Sequence, residues 1–276
     1  MMKKITFILF LLFSVSVYSQ NTELDKIAQD ITEEGKLLYR LELAAWYGMD
    51  IFKDNFKENN RIGGYFSYLD SNTPKCLIFS NEQNPRVIGV VSFGDIKLIE
   101  TATIDFKKRD FKVNEKELYT IRAKALIEIQ QDTLFKNYTN TNLNLIPLIY
   151  KDARKVYVLT GPKNVGVVLF GNDYLMSFDK QHNLTEKKEL HKNLIPIEFD
   201  EDKDTSLTIH YHSSASDDFI TPTDICTLML YAKFAGWKKH IVVSQNYASI
   251  WDCENETLQI MTKEEFQKIE HEIIVD

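Results

Sequence analysis

The chain has 276 residues, of which 44% are hydrophobic, 12% aromatic and 26% charged. This composition is typical of a globular protein, and the supply of aromatic residues is sufficient for a sizeable buried core. The formal net charge of -7 argues against nucleic acid as a main partner, because phosphate binding requires a clustered basic surface and the sequence has none.

The N-terminal residues predict an export signal. Lys3 and Lys4 precede an apolar run over residues 5–17, and Ser19 offers a small residue for cleavage. This order of charge, apolar run and small residue is typical of a secretory signal peptide. A membrane anchor is the less favoured alternative, because the run is short for a span and no charged stop-transfer segment follows it. We therefore expect residues 1–19 to be removed, and a secreted or periplasmic product without a membrane span.

The mature chain is predicted to be an α+β protein in two parts. The first part, residues 20–131, begins with helices that have a break near Gly35 and end by Asn55. Alternating, aromatic-rich runs between residues 64 and 106 then predict an antiparallel meander, and residues 115–131 predict another helix.

The second part is predicted to be an α/β or α+β domain over residues 145–276. The polar residues 132–144, rich in Asn and Thr, are interpreted as a linker or surface loop before it. Short apolar runs predict strands from residue 155 onward, and a helix is predicted from Pro222 to about Ala235. Gly236 follows that helix as its expected end.

The three cysteines form no CxxC motif. A secreted chain can oxidise two cysteines, and a pair of Cys226 with Cys253 is conceivable. Small buried thiols are the favoured interpretation of Cys76, Cys226 and Cys253.

One stretch offers residues with metal-binding chemistry. His210 and His212 lie two positions apart on a predicted strand, so their side chains point to the same face, about 7 Å apart along the strand. Asp224 opens the next helix and could add a carboxylate. Two histidines, one aspartate and a water are the ligands of an open zinc site, in which zinc lowers the pKa of the water to about 7.

Structural explanations compete with this hypothesis. A His-x-His pair on a strand also occurs without any ligand. The residues from Thr221 to Asp224 are a complete helix start, with Thr221 as N-cap, Pro222 at the first position and Asp224 closing a capping box. His191 is a possible further ligand or polar site residue, but a surface or capping role is favoured.

The stretch from His210 to Asp224 resembles the signature of the JAB1/MPN/Mov34 (JAMM) metalloenzymes. In that family His-x-His precedes a spacer and Ser-x-x-Asp, and the predicted helix and strands after Asp224 follow in a similar order. The resemblance covers roughly residues 155–261. It implies a JAMM-like domain with zinc bound by His210, His212 and Asp224, and an upstream glutamate as general base.

The chain departs from the family pattern at several positions. Its spacer has eight residues where the family has seven, Thr221 replaces the usual serine, and Ser213 stands where a proline is common. Neither Glu42 nor Glu128, both upstream, lies in a motif matching that of the general base. Ser213 is also not predicted to be a nucleophile, because no Gly-x-Ser-x-Gly elbow surrounds it, and the same holds for the nearby serines at positions 214 and 216.

These observations leave functions from different classes. The first is a secreted zinc-dependent hydrolase of peptide or isopeptide bonds, acting on a peptide or protein substrate, in which Thr221 stabilises the developing oxyanion. The second is a non-catalytic binding or interaction module on the same scaffold, favoured by the absence of a matching glutamate. A third is a secreted domain of unrelated fold in which His-x-His is incidental.

Overall fold

The structure, a computed structural model, describes residues 2–199, 206–212 and 218–275. Ser213, Ser214 and Ser216 lie outside the described residues. The protein is α+β, as predicted. Its chain divides into two compact units, a smaller one of residues 1–36 with 200–276 and a larger one of residues 37–199. This division differs from the sequence-based boundaries at residues 131 and 145, since residues 145–199 belong to the same unit as the meander.

The helices of the described residues are α1 (Met2–Asn55), α2 (Val113–Gln131), α3 (Pro222–Ala235) and α4 (Lys263–Val275). The expected break of α1 at Gly35 is wrong, whereas its expected end at Asn55 is confirmed. Gly35 serves close packing: a Cβ at this position would lie 2.5 Å from the Cβ of Ile225, so only glycine lets α1 approach α3 here. In the described part of the chain, no helix combines the length and apolar character that crossing a membrane requires.

The larger unit contains the predicted antiparallel meander. Its strands pair in chain order, and each is antiparallel to the next. They are β1 (Ile62–Asp70), β2 (Thr73–Ser80), β3 (Val87–Phe93) and β4 (Ala102–Asp105).

Six further strands follow in the same unit, and two of them were not predicted. The strands are β5 (Thr141–Tyr150), β6 (Ala153–Pro162), β7 (Val167–Gly171), β8 (Tyr174–Phe178), β9 (Leu184–Glu189) and β10 (Leu194–Glu198). One sheet has the order β5-β6-β8-β9, while β7 pairs with β10. Strand β5 begins within the residues interpreted as a linker. Strand β9 is largely exposed and charged at the edge of its sheet, so its sequence lacks the apolar alternation that indicates a strand.

A single apolar cluster joins both four-stranded sheets of the larger unit to α2. The helix contributes Leu118, Ile121 and Ala125, and β1 and β6 contribute Phe66, Val156 and others. This shared core explains why residues 145–199 do not form a separate domain, because their apolar face is covered by elements from the first half of the chain.

The smaller unit contains a four-stranded sheet of mixed direction. Its strands are β11 (Leu207–Tyr211), β12 (Lys239–Val243), β13 (Tyr247–Asp252) and β14 (Thr257–Thr262). Strands β11 and β12 are parallel and are connected through α3, while the other pairs are antiparallel. Phe266 of α4 packs on the sheet, as do Leu24 and Ala28 of α1.

The three cysteines are free thiols. Cys76 and Cys226 are buried and Cys253 is partly buried, so the conceivable pair of Cys226 with Cys253 is not formed and the favoured interpretation is confirmed.

Candidate metal centre

The end of β11 directs three polar side chains into the interior. Thr208, His210 and His212 alternate along the strand and are all buried, whereas Tyr211 between the histidines is 68% exposed. The backbone N–H of His212 donates to the carbonyl oxygen of Val243 at 2.9 Å, which continues the pairing with β12 one residue past the end of β11. The prediction that both histidines share one face is therefore confirmed.

The two histidines converge on one point. Their Nε2 atoms lie 3.1 Å apart, and their ring centroids are 5.1 Å apart. Two nitrogen ligands of a tetrahedral zinc, each about 2.0 to 2.1 Å from the ion, are separated by about 3.3 Å. The spacing of the two Nε2 atoms is thus close to that of two corners of a zinc coordination sphere.

Asp224 lies beside the two histidines. It is in the first turn of α3 and is 1% exposed. One ligand atom from each of His210, His212 and Asp224 lies within 4.8 Å of the others. The structure therefore brings together the three residues that the sequence predicted as ligands, in a buried group compatible with a metal site.

The capping role of Asp224 predicted from the sequence is also present. Its Oδ2 accepts a hydrogen bond from the backbone N–H of Thr221 at 2.9 Å and another from the Thr221 hydroxyl at 2.8 Å. A carboxylate has about four lone-pair positions, so one side chain can cap a helix and bind a cation. Pro222 at the start of α3 and Gly236, with φ 73°, at its end complete the predicted helix.

Thr221, predicted to be catalytic, uses its hydroxyl within the helix start. The hydroxyl oxygen accepts from the backbone N–H of Asp224 at 3.2 Å and lies 2.8 Å from the hydroxyl oxygen of Thr223. With its proton donated to the Asp224 carboxylate, Thr221 holds that carboxylate in place.

Sequence reasoning missed His240, which completes a buried chain of polar side chains. Its Nδ1 lies 2.7 Å from the Thr208 hydroxyl, and its Nε2 lies 2.9 Å from Nδ1 of His210. Burial, and secondarily the proximity of His210, lowers the pKa of His240 to about 3. His240 is therefore neutral at physiological pH. Only the register of β12 against β11, which pairs His240 with Thr208, identifies this contact.

His191 belongs to the larger unit and is buried, so the favoured surface role is wrong. Its Nδ1 lies 2.7 Å from Oδ1 of Asp173, which is also buried. A carboxylate bonded to one ring nitrogen fixes the orientation of the imidazole and its tautomer.

Two glutamates are buried among the described residues, and both lie in the larger unit. Glu115 accepts hydrogen bonds from the Arg109 guanidinium at 2.6 and 2.8 Å, and the two residues form a structural ion pair. Burial raises the pKa of Glu42 to about 7, although Asn144 donates to its Oε1 at 2.6 Å. Glu128 is only partly buried and pairs with Lys187 at 3.1 Å. A pKa near 7 means that Glu42 is protonated in part of the molecules at neutral pH.

Comparison of the chain with protein-family models, with curated proteins and with solved structures finds no match. The site defines a class by its chemistry alone: an α+β protein with a buried histidine and aspartate group compatible with metal binding.

Proposed function

We propose that the protein binds one zinc ion through His210, His212 and Asp224. The observation that carries the proposal is the 3.1 Å spacing of the two buried Nε2 atoms beside a buried carboxylate. Imidazole and carboxylate are ligands that zinc accepts, and three protein ligands leave a coordination position for water. The site also lies where the parallel strand β11 ends and α3 begins, the usual location of ligand sites next to parallel strands.

The reaction proposed for this site is hydrolysis of a peptide or isopeptide bond. The proposal is supported by the resemblance of the residues from His210 to Asp224 to the JAMM signature. Zinc bound there would lower the pKa of its water to about 7 and polarise a carbonyl. In the protein itself, Asp224 supplies the negative ligand and Thr221 orients that carboxylate. Because the one hydroxyl proton of Thr221 is donated to Asp224, the proposed donation from Thr221 to the oxyanion requires that bond to be released first.

Metal content tests the proposal. We expect the purified mature protein to hold zinc near one equivalent by elemental analysis, and the His210→Ala/His212→Ala variant to hold none. His271→Ala is the matched control, because His271 is an exposed histidine of the same unit. Zinc-loaded protein should then cleave peptide or isopeptide substrates, with the activity removed by a chelator and restored by zinc. Absence of metal even after zinc is added would refute the proposal.

A non-catalytic binding module is the second candidate. It is favoured by the observation that the described residues of the smaller unit include no buried glutamate that could act as base. In this case the protein binds zinc with the same dependence on His210 and His212, but no peptide or isopeptide substrate is cleaved at any pH.

Export of the protein is part of the proposal and rests on the charge, apolar run and small residue of residues 1–19. Expression of the full chain in a bacterium with an intact secretion pathway tests it. We expect the protein in the periplasm or medium, with an N-terminus at Gln20 or Asn21 by Edman sequencing. Cytoplasmic protein that retains residues 1–19 would contradict export without affecting the metal proposal.

A further inference from the structure

A buried chain of hydrogen-bonding groups leads away from the metal-site histidines. From the Nδ1 atom of His210 the chain passes to His240 Nε2 at 2.9 Å, then from His240 Nδ1 to the Thr208 hydroxyl at 2.7 Å. All three side chains are buried, and His240 is completely inaccessible to solvent. Buried polar groups nearly always have a hydrogen-bond partner, and these contacts satisfy side chains that are almost entirely shielded from solvent.

The direction of the hydrogen bonds follows from the chemistry of imidazole. A neutral imidazole has one N–H donor and one nitrogen lone pair. If Nε2 of His210 binds a metal, its proton must be on Nδ1, which then donates to Nε2 of His240. The proton of His240 is consequently on Nδ1, where it donates to the oxygen of Thr208. With a metal on Nε2 of His210, one tautomer of each ring satisfies these contacts. Without a metal the reverse direction also satisfies them, with the Thr208 hydroxyl donating to His240 Nδ1 and His240 Nε2 donating to His210 Nδ1, so metal binding selects the first arrangement.

We propose that His240 and Thr208 are positioning residues, which hold His210 in the tautomer and ring orientation that bind the metal. The inference rests on the proposed zinc site. A metal-ligating histidine normally donates its second ring N–H to such a partner, and loss of that partner weakens metal binding by about tenfold to a hundredfold. Here the partner is a second imidazole, itself oriented by a hydroxyl group.

A purely structural role for His240 makes a different prediction. The ring lies next to Trp237, with centroids 6.4 Å apart, and is fully buried. A side chain that only fills space affects the free energy of unfolding, and an apolar replacement of similar size leaves metal affinity unchanged.

Two matched pairs of variants separate these roles. His240→Leu removes the acceptor for His210, whereas His240→Gln can present an amide oxygen in its place. Thr208→Val removes the hydroxyl with little change of shape, whereas Thr208→Ser keeps it. Zinc affinity is measured on the full mature chain by competition with a chromogenic chelator. The cobalt-substituted protein is compared by its visible absorption spectrum, which reports ligand geometry.

We expect His240→Leu to lower zinc affinity about tenfold to a hundredfold and to alter the cobalt spectrum. The zinc affinity of His240→Gln should stay within about threefold of that of the unmodified protein. Thr208→Val should lower affinity less than His240→Leu does, and Thr208→Ser should behave as the unmodified protein. Circular dichroism without metal verifies the fold. If His240→Leu does not fold, the zinc affinities of Thr208→Val and Thr208→Ser decide whether the positioning role is correct.

Two negative results have different meanings. If the unmodified protein binds zinc and the folded variants bind it equally well, the positioning role is refuted while the zinc site stands. If the unmodified protein binds neither zinc nor cobalt, the proposed function fails and the positioning role fails with it.

Discussion

The carboxylate of Asp224 accepts both the backbone N–H and the hydroxyl of Thr221, at 2.9 and 2.8 Å, in the first turn of α3. The same side chain has a carboxylate oxygen within 4.8 Å of one ring nitrogen of each of the two histidines His210 and His212. The helix start therefore determines where the proposed acidic ligand is held. If the proposed zinc site is correct, changes at these two residues should affect both helix stability and metal affinity.

Loss of the Thr221 hydroxyl should affect stability and metal binding together. Thr221→Val removes the N-cap acceptor and one of the bonds that orient Asp224, whereas Thr221→Ser retains the hydroxyl. We expect the valine variant to lose about 1 kcal/mol of unfolding free energy in urea, and zinc affinity to fall as well. The serine variant should match the unmodified protein in both measurements. A valine variant that matches the unmodified protein in both measurements would show that the hydroxyl contributes to neither.

The charge of Asp224 can be tested separately from its capping bonds. Asp224→Asn keeps an oxygen acceptor for Thr221 but removes the negative charge that a zinc ligand supplies. We expect zinc affinity to fall by at least about tenfold, because loss of a residue that only hydrogen-bonds to a metal ligand already has this effect. Thermal unfolding of the metal-free protein should change little. A large loss of stability with unchanged zinc affinity would assign Asp224 to the helix cap alone.

The Asp173–His191 pair should stabilise the larger unit. Its 2.7 Å contact joins a buried carboxylate to Nδ1 of a buried imidazole. Removing one partner of a buried hydrogen bond carries a desolvation penalty, so we expect His191→Ala to cost about 1 to 3 kcal/mol of unfolding free energy in urea. His271→Ala, at an exposed position, is the control and should follow the unmodified protein. An unchanged unfolding free energy in His191→Ala would contradict this role.

Glu42 should make the stability of the protein depend on pH. Burial raises its pKa in the folded protein from 4.5 to about 7, so between these values the folded state holds a proton that the unfolded state releases. Stability must then decrease as the pH rises from about 5 to 7, by up to about 3 kcal/mol, and remain lower above that range.

The Glu42→Gln variant removes this dependence. Its unfolding free energy in urea, measured between pH 5 and 8, should lack the decrease assigned to Glu42 and should exceed that of the unmodified protein at pH 8. Glu23→Gln, at an exposed position of the same helix, is the control and should follow the unmodified protein. Parallel curves for the protein with and without Glu42→Gln would contradict the raised pKa.

Gly89 of β3 permits the close approach of α1 in the larger unit. A Cβ at this position would overlap the ring of Phe52, which is completely buried. We expect Gly89→Ala to cost about 1 to 3 kcal/mol of unfolding free energy, and Phe52→Leu to recover part of that loss in the double variant. Gly94→Ala is the control, because its added methyl would lie at an ordinary 3.4 Å from Thr101. Additive losses in the double variant would contradict the steric explanation.

Local sequence patterns were sufficient to predict the structural features that depend only on residues close together in the chain. The capping residues Thr221 and Asp224 with Gly236 predicted both ends of α3, and the alternation of His210 and His212 predicted their common face. These features arise from bonds and side-chain directions within a few positions along the chain. For the same reason they could be predicted without knowledge of any distant contact.

Only the tertiary structure determined the contacts between residues that are far apart in the sequence. The register of β11 against β12 places His240 beside Thr208. Gly35 packs closely against Ile225 within a continuous α1, and the polar start of β5 pairs with β6. None of these contacts leaves a local periodic signal. Strand pairing and close helix packing are selected by the burial and hydrogen bonding of the complete fold, and these are properties of the assembled protein that no short segment carries.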